Sequence, residues 1–130
     1  MNINPDQGRP RRVQLRRSKG FRLQDEAPGA VKVDRSTAWG NPYTIERWPF
    51  GGWAVRNPRD TSVTTFDTEP EARAHSIELF RQRLADDPTL VELAREHLSG
   101  RPLACWCPDG EPCHADAWLD LLYATGGDDA

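Results

Sequence analysis

With 130 residues, the chain has the length of one ordinary domain and is too short for two. Hydrophobic residues make up 37% and charged residues 28%, a globular balance on the polar side, and no stretch approaches the roughly 20 apolar residues that span a bilayer. No apolar run follows the first basic residues, which argues against a secretory signal, and three cysteines do not suit a secreted disulfide framework, so a cytoplasmic protein with thiols or metal ligands is expected.

The net charge of −3 hides an uneven distribution. Arg9, Arg11, Arg12, Arg16, Arg17, Lys19 and Arg22 crowd into one early segment, whereas Asp128 and Asp129 end the chain. Such asymmetry predicts contact with nucleic acid through Arg11, Arg12, Arg16 and Arg17, or else a solvated basic edge. The organisation expected is a flexible start over 1–8, a single globular domain over 9–124 and a flexible acidic tail over 125–130.

In chain order, residues 11–17 alternate around Val13 and Leu15, as a short basic strand does. Residues 30–34 (AVKVD) form a second strand entered through Pro28-Gly29. Residues 35–60, rich in Pro, Gly, Asn and Trp, are expected to be one long irregular loop of the functional kind. Ser62 to Phe66 is β-branched and reads as an edge strand. Thr68-Glu69-Pro70-Glu71 has capping-box spacing and opens a helix with Ala72, Ile77, Leu79, Phe80 and Leu84 on its apolar face. Asp87-Pro88 starts a second helix, whose Leu90, Leu93, Ala94, His97 and Leu98 make one stripe and which ends at Gly100. Pro102 to Cys107 reads as a buried strand. A third helix opens at Cys113 or His114, with Ala115, Trp118, Leu119 and Leu122 facing inward. The order implies an α/β (or α+β) fold, about three helices on a small sheet.

The chemistry concentrates in residues 105–114 (CWCPDGEPCH). On an extended strand Cys105 and Cys107 point to one face, and Pro108-Asp109-Gly110 favours a turn that returns Cys113 and His114 to them. Three readings stay open. Cys105, Cys107, Cys113 and His114 make a Cys₃His set for zinc, although the spacing is not that of a ribbon or finger. Alternatively, Cys107 and Cys113 are reactive thiols, Cys113 being favoured as a thiolate by a helix N-terminus that also attracts phosphate, with His114 as base or acid and Asp116 as its orienter. In the third, the cysteines simply pack.

Trp39-Gly40-Asn41-Pro42-Tyr43 reads as a ligand loop in which Gly40 allows close approach, Asn41 reads polar edges and Trp39 stacks on a base or sugar; a plain turn is the alternative. Arg35 just upstream suits a phosphate or carboxylate. His97 reads as a core or boundary histidine, and Trp48, Phe50 and Trp53 as a recognition surface or a satellite core. There is no Gly-Lys-Ser/Thr phosphate loop, no Gly-x-Gly-x-x-Gly and no His-Glu-x-x-His, which argues against a P-loop NTPase, a Rossmann dehydrogenase and a zincin protease.

Three stretches together resemble a known family: Val31-Lys32-Val33-Asp34-Arg35 running into Trp39-Gly40-Asn41-Pro42-Tyr43, then Leu103-Ala104-Cys105-Trp106-Cys107, then Pro112-Cys113-His114-Ala115-Asp116. In order and spacing they are similar to the DUF4326 family of bacteria and phages, a domain of unknown function, over about residues 9–124. The resemblance brings no settled activity. It implies that both motif regions belong to one recurrent module and share a pocket. The stretch from Trp48 to Trp53 has no counterpart in those motifs. The resulting expectation is a small enzyme, or an enzyme-like binding domain, for a nucleotide, nucleoside or nucleic-acid-linked substrate. Its rival is a zinc-stapled binding module for nucleic acid or protein.

Overall fold

The computed structural model describes residues 11–107 and 111–123. The expected flexible start, acidic tail and turn over Pro108-Asp109-Gly110 lie outside those residues. Among the described residues, two three-stranded sheets and four helices build the domain. The α/β class is therefore as expected, but a second sheet takes the place of a single one.

The first sheet joins three segments distant in sequence: β1 (Arg12–Gln14), β2 (Val31–Lys32) and β6 (Leu103–Cys105), in the order β1-β6-β2, all parallel. Val13 pairs with Ala104, and Val31 with Leu103. A central strand of a parallel sheet is covered on both faces, and the composition of β6 answers that need. Leu103 and Cys105 enter the main core, while Ala104 enters a smaller cluster with Val13, Leu15, Ala27 and Ala30. A single helical turn, α1 (Leu23–Glu26), crosses between β1 and β2.

The second sheet occupies the region expected to be loop. β3 (Thr44–Arg47), β4 (Trp53–Arg56) and β5 (Val63–Phe66) form an antiparallel meander in that order. Residues 35–43 and the turns between the strands match the irregular reading. Gly52 makes the first one possible: its φ is +78°, and a Cβ there would sit 2.4 Å from the Phe66 carbonyl oxygen. In the second, Asn57 Oδ1 accepts from Arg59 N–H and Asp60 Oδ1 from Ser62 N–H. β5 is an edge strand, as expected. Ala54 and Val55 are both buried, because β4 lies between two strands and beneath a helix.

That helix is α2 (Glu69–Ala85), and its Thr68 cap is the expected capping box: Thr68 Oγ1 accepts from Glu71 N–H and Glu71 Oε1 from Thr68 N–H. Its buried stripe is Ala72, Ser76, Phe80 and Leu84, every fourth residue. Asp87 Oδ1 caps α3 (Pro88–Leu98) by accepting from Leu90 N–H. Only Ala94 and Leu98 of α3 are buried; Leu93 and His97 are exposed, so the stripe is narrower than the apolar spacing predicts. His97 is thus a surface residue, its ring 6.2 Å from that of Trp39. The last helix, α4 (His114–Leu122), drives Trp118 into the centre, edge-on to Phe80 and Trp39 at 5.7 Å each. Among the described residues, no helix is long and apolar enough to cross a membrane.

Candidate functional site

The chain leaving β6 passes Trp106 and Cys107, and Cys113 is the N-cap of α4. These positions bring Cys105, Cys107 and Cys113 together, their sulfurs all within 4.8 Å of one another. Cys105 Sγ and Cys113 Sγ stand 2.9 Å apart, and each residue is 1% exposed; Cys107 is half-buried. The three are free thiols. They share one favoured negative charge, which falls on Cys107. Hydrogen bonds from the Cys105 and Cys113 thiols pull the Cys107 pKa far down, and the positive charge of Arg73 adds to this. Donating to Cys107 pushes Cys105 up to about 11, hydrogen bonds to Cys105 and then Cys107 push Cys113 further up, and burial acts in the same sense.

Neighbouring groups complete the local structure rather than the ligand set. His114, 9% exposed, gives Nε2–H to the Val33 carbonyl and presents Nδ1 to Cys113 Sγ at 3.7 Å. A carbonyl only accepts, so this fixes the Nε2–H tautomer, and burial lowers the His114 pKa despite that hydrogen bond. The metal-competent cluster is therefore the three sulfurs, with His114 beside Cys113 and outside the set. Asp116 does not orient His114. Its carboxylate accepts from Cys113 N–H and Arg12 Nη1, each at 3.1 Å, and the Val33 carbonyl holds the imidazole instead. Cys113 Sγ in turn accepts from Ala115 N–H at 3.4 Å. The start of α4 thus satisfies Cys113 N–H and Ala115 N–H from within.

A cavity of about 500 Å³ opens over the cluster. Cys107, Cys113 and His114 line it, with Trp53, Ile45 and Ile77 as apolar lining and Asp34, Arg35, Asn41, Glu69, Arg73 and Trp106 among the rest. The two motif regions do share one pocket, as the resemblance implies.

The asparagine loop serves this pocket in a way the sequence does not show. Asn41 is buried: its Nδ2 donates to Ser76 Oγ at 2.9 Å and its Oδ1 accepts from Tyr43 N–H at 2.9 Å. The side-chain amide pins the loop to α2. The free function of Asn41 is its carbonyl, which accepts from Arg35 Nε at 3.1 Å and aims that guanidinium. Gly40 is required because a Cβ would lie 2.6 Å from both Arg35 Cα and the Asp34 oxygen. The close approach is to the protein's own backbone. Trp39 is outside the cavity lining; it packs edge-on to Trp118, and its carbonyl accepts from Trp118 Nε1–H at 2.9 Å.

Three participants, Trp106, Asp34 and Arg73, escape the sequence reading. Trp106, 44% exposed, turns its Nε1–H onto Asp34 Oδ2 at 2.8 Å and lines the cavity. Burial would raise the Asp34 carboxyl, but hydrogen bonds from Ser36 and Trp106 outweigh it and hold the pKa low. Arg73 pairs with Glu69 one turn earlier on α2 and, through Nη1, with Glu111 at 3.5 Å. That Nη1 is buried and has no hydrogen-bond partner among the described residues. Trp106 carries a signal as the exposed aromatic between two cysteines; an arginine on a polar helix face carries none.

Fold and site define a small α/β domain whose three converging cysteines meet a ligand-sized cavity. The chain belongs to the family described as Domain of unknown function (DUF4326), which it matches over residues 13–124. No curated protein and no solved structure matches it.

Proposed function

We propose that this chain is an enzyme-like binding domain for a small phosphate-bearing ligand of the nucleotide or nucleoside class, with the three-cysteine cluster as its reactive centre. The observation that carries the reading is the position of Cys107: of three clustered cysteines it is the half-buried one, and it lines a cavity that Arg35 and Arg73 also line. Arg35, held at Nε, and Arg73, whose buried Nη1 lies 3.5 Å from Glu111 without a hydrogen bond among the described residues, suit an anionic group. Trp53 and Trp106 offer flat apolar faces to a ring. Three thiolates are also the donor set zinc prefers. Zinc held by Cys105, Cys107 and Cys113 leaves its fourth position to a group from the cavity, as catalytic zinc sites do.

The test has two arms. Elemental analysis of untagged protein should give stoichiometric zinc that Cys107→Ser diminishes. Calorimetric titration with adenosine monophosphate should show binding that Arg35→Gln weakens about tenfold, the usual worth of a charge-assisted hydrogen bond. A folded protein that takes up neither nucleoside, nucleotide nor inorganic phosphate at millimolar concentration overturns the reading.

A second reading has its own support. Cys105 and Cys113 are 1% exposed and tie the end of β6 to the start of α4, where a purely structural zinc staple would sit. The domain would then bind nucleic acid or protein without catalysis. Chelation would unfold such a protein, because metal binding and folding free energy are one quantity; a fold that survives chelation excludes it.

A further inference from the structure

We propose that the basic segment leaving β1 is a docking strip for single-stranded nucleic acid, laid so that the strand passes the mouth of the cavity. The four early arginines do not act alike. Arg11 donates to the Glu26 carbonyl, and Arg12 to the Glu111 carbonyl and the Asp116 carboxylate. Those two brace the fold. Arg16, Arg17, Lys19 and Arg22 are exposed, and none has an ion-pair partner among the described residues.

Their position follows from the parallel pairing. Leu15 N–H donates to the Cys105 carbonyl at 2.7 Å, so the chain leaving β1 runs beside the chain leaving β6. Residues 16–19 therefore flank Trp106. The Arg17 guanidinium lies 4.9 Å from the centre of that ring. Arg17 thus covers one face of the ring and Asp34 accepts from its Nε1–H, so Trp106 is an exposed aromatic platform held in one orientation, with its second face left for a base. Exposed cations without an ion-pair partner among the described residues, beside a held aromatic ring, suit a strand whose phosphates meet the cations and whose unpaired base stacks on the ring. A duplex keeps its base faces hidden and cannot use the platform. The overall charge of −3 makes this local excess of cations a feature of placement rather than of composition.

The inference extends the nucleotide reading of the cavity to a ligand attached to a strand, but it is tested separately. Fluorescently labelled oligothymidylate and oligouridylate should bind the full chain, and the stronger of the two names DNA or RNA as the source. With three phosphate contacts, log K should fall with log salt at a slope of about −2. Trp106→Ala should weaken binding about tenfold, the usual worth of one stacked base. Arg16→Glu with Lys19→Glu should weaken it further and lower the salt slope, while leaving adenosine monophosphate binding and the unfolding midpoint unchanged. Duplex bound as well as single strand, or oligonucleotide affinity unmoved by Arg16→Glu with Lys19→Glu, overturns the strip. Oligonucleotide binding that survives where no mononucleotide binds supports the strip and overturns the cavity reading instead.

Discussion

Replacing Gly40 with alanine tests how the asparagine loop is held against the first sheet. The added Cβ would lie 2.6 Å from Arg35 Cα, 2.6 Å from the Asp34 oxygen and 2.9 Å from Arg35 N. Optimal carbon contacts are about 3.5–4 Å, so the loop and the Asp34-Arg35 segment must part by about 1 Å. All three partners are backbone atoms, and no rotamer change relieves the overlap. Overpacking costs about 1–3 kcal/mol, and backbone partners on the crowded side place Gly40→Ala near about 3 kcal/mol. At about 4 °C per kcal/mol for a chain of this size, the thermal midpoint should fall by about 12 °C. Separation of the loop should also release Arg35 Nε from the Asn41 carbonyl and weaken anion binding in the cavity. Thermal and urea unfolding followed by circular dichroism measure the first effect. A Gly40→Ala midpoint equal to that of the parent protein would refute the packing argument.

Other perturbations probe the remaining supports. Phe80→Ala removes a side chain 1% exposed that meets both Trp118 and His114 edge-on, and should cost about 3–5 kcal/mol in urea unfolding. Thr68→Ala deletes half of a capping box and should cost about 1 kcal/mol by the same assay, with no change in zinc content. The Asp34 carboxyl is held below its ordinary value of 3.8, so its contribution to stability is present above that value and is lost as the pH falls through the depressed one. Asp34→Asn should therefore flatten the acid limb of the stability–pH curve and alter Trp106 emission at neutral pH; an unchanged acid limb contradicts the assignment.

The three longer helices and the individual strands of the first sheet were legible because their signals are local, whereas the short α1 and the parallel pairing were not. Thr68 and Glu71, Asp87 with Pro88, and Cys113 before His114 are stop-and-start chemistry that the structure uses as written. The meander over residues 44–66 was not legible in its first two strands. Thr44–Arg47 and Trp53–Arg56 are four residues each, and the Pro49 to Gly52 turn between them dominates the composition of the window. His97 follows the apolar spacing of α3 yet is exposed, because α3 buries only Ala94 and Leu98 fully and packs Leu90 and Val91 partly against the core. At the site, clustering of the cysteines was legible from their spacing around a turn. The role of Asn41 was not. An asparagine in a loop looks like a ligand contact, and only the position of Ser76, thirty-five residues on, shows that its amide ties the loop to α2. Arg73 was invisible for the same reason: its meaning comes from the strands that α2 happens to cover.

The strand that completes the first sheet, Leu103–Cys105, is also the one that emerges last from the ribosome. Its partners at Arg12–Gln14 and Val31–Lys32 do not pair with each other, so both wait, with their ladder groups facing water, until some seventy residues after β2 have been made. The meander and α2 have only near neighbours to find and can form on the nascent chain. Synthesis therefore imposes an order in which the antiparallel half matures first and the thiol-bearing half closes in a single late step. A ribosome stalled before Leu103 clears the exit tunnel should hold a chain with a protease-resistant segment over residues 44–85 and an open, cleavable one before it.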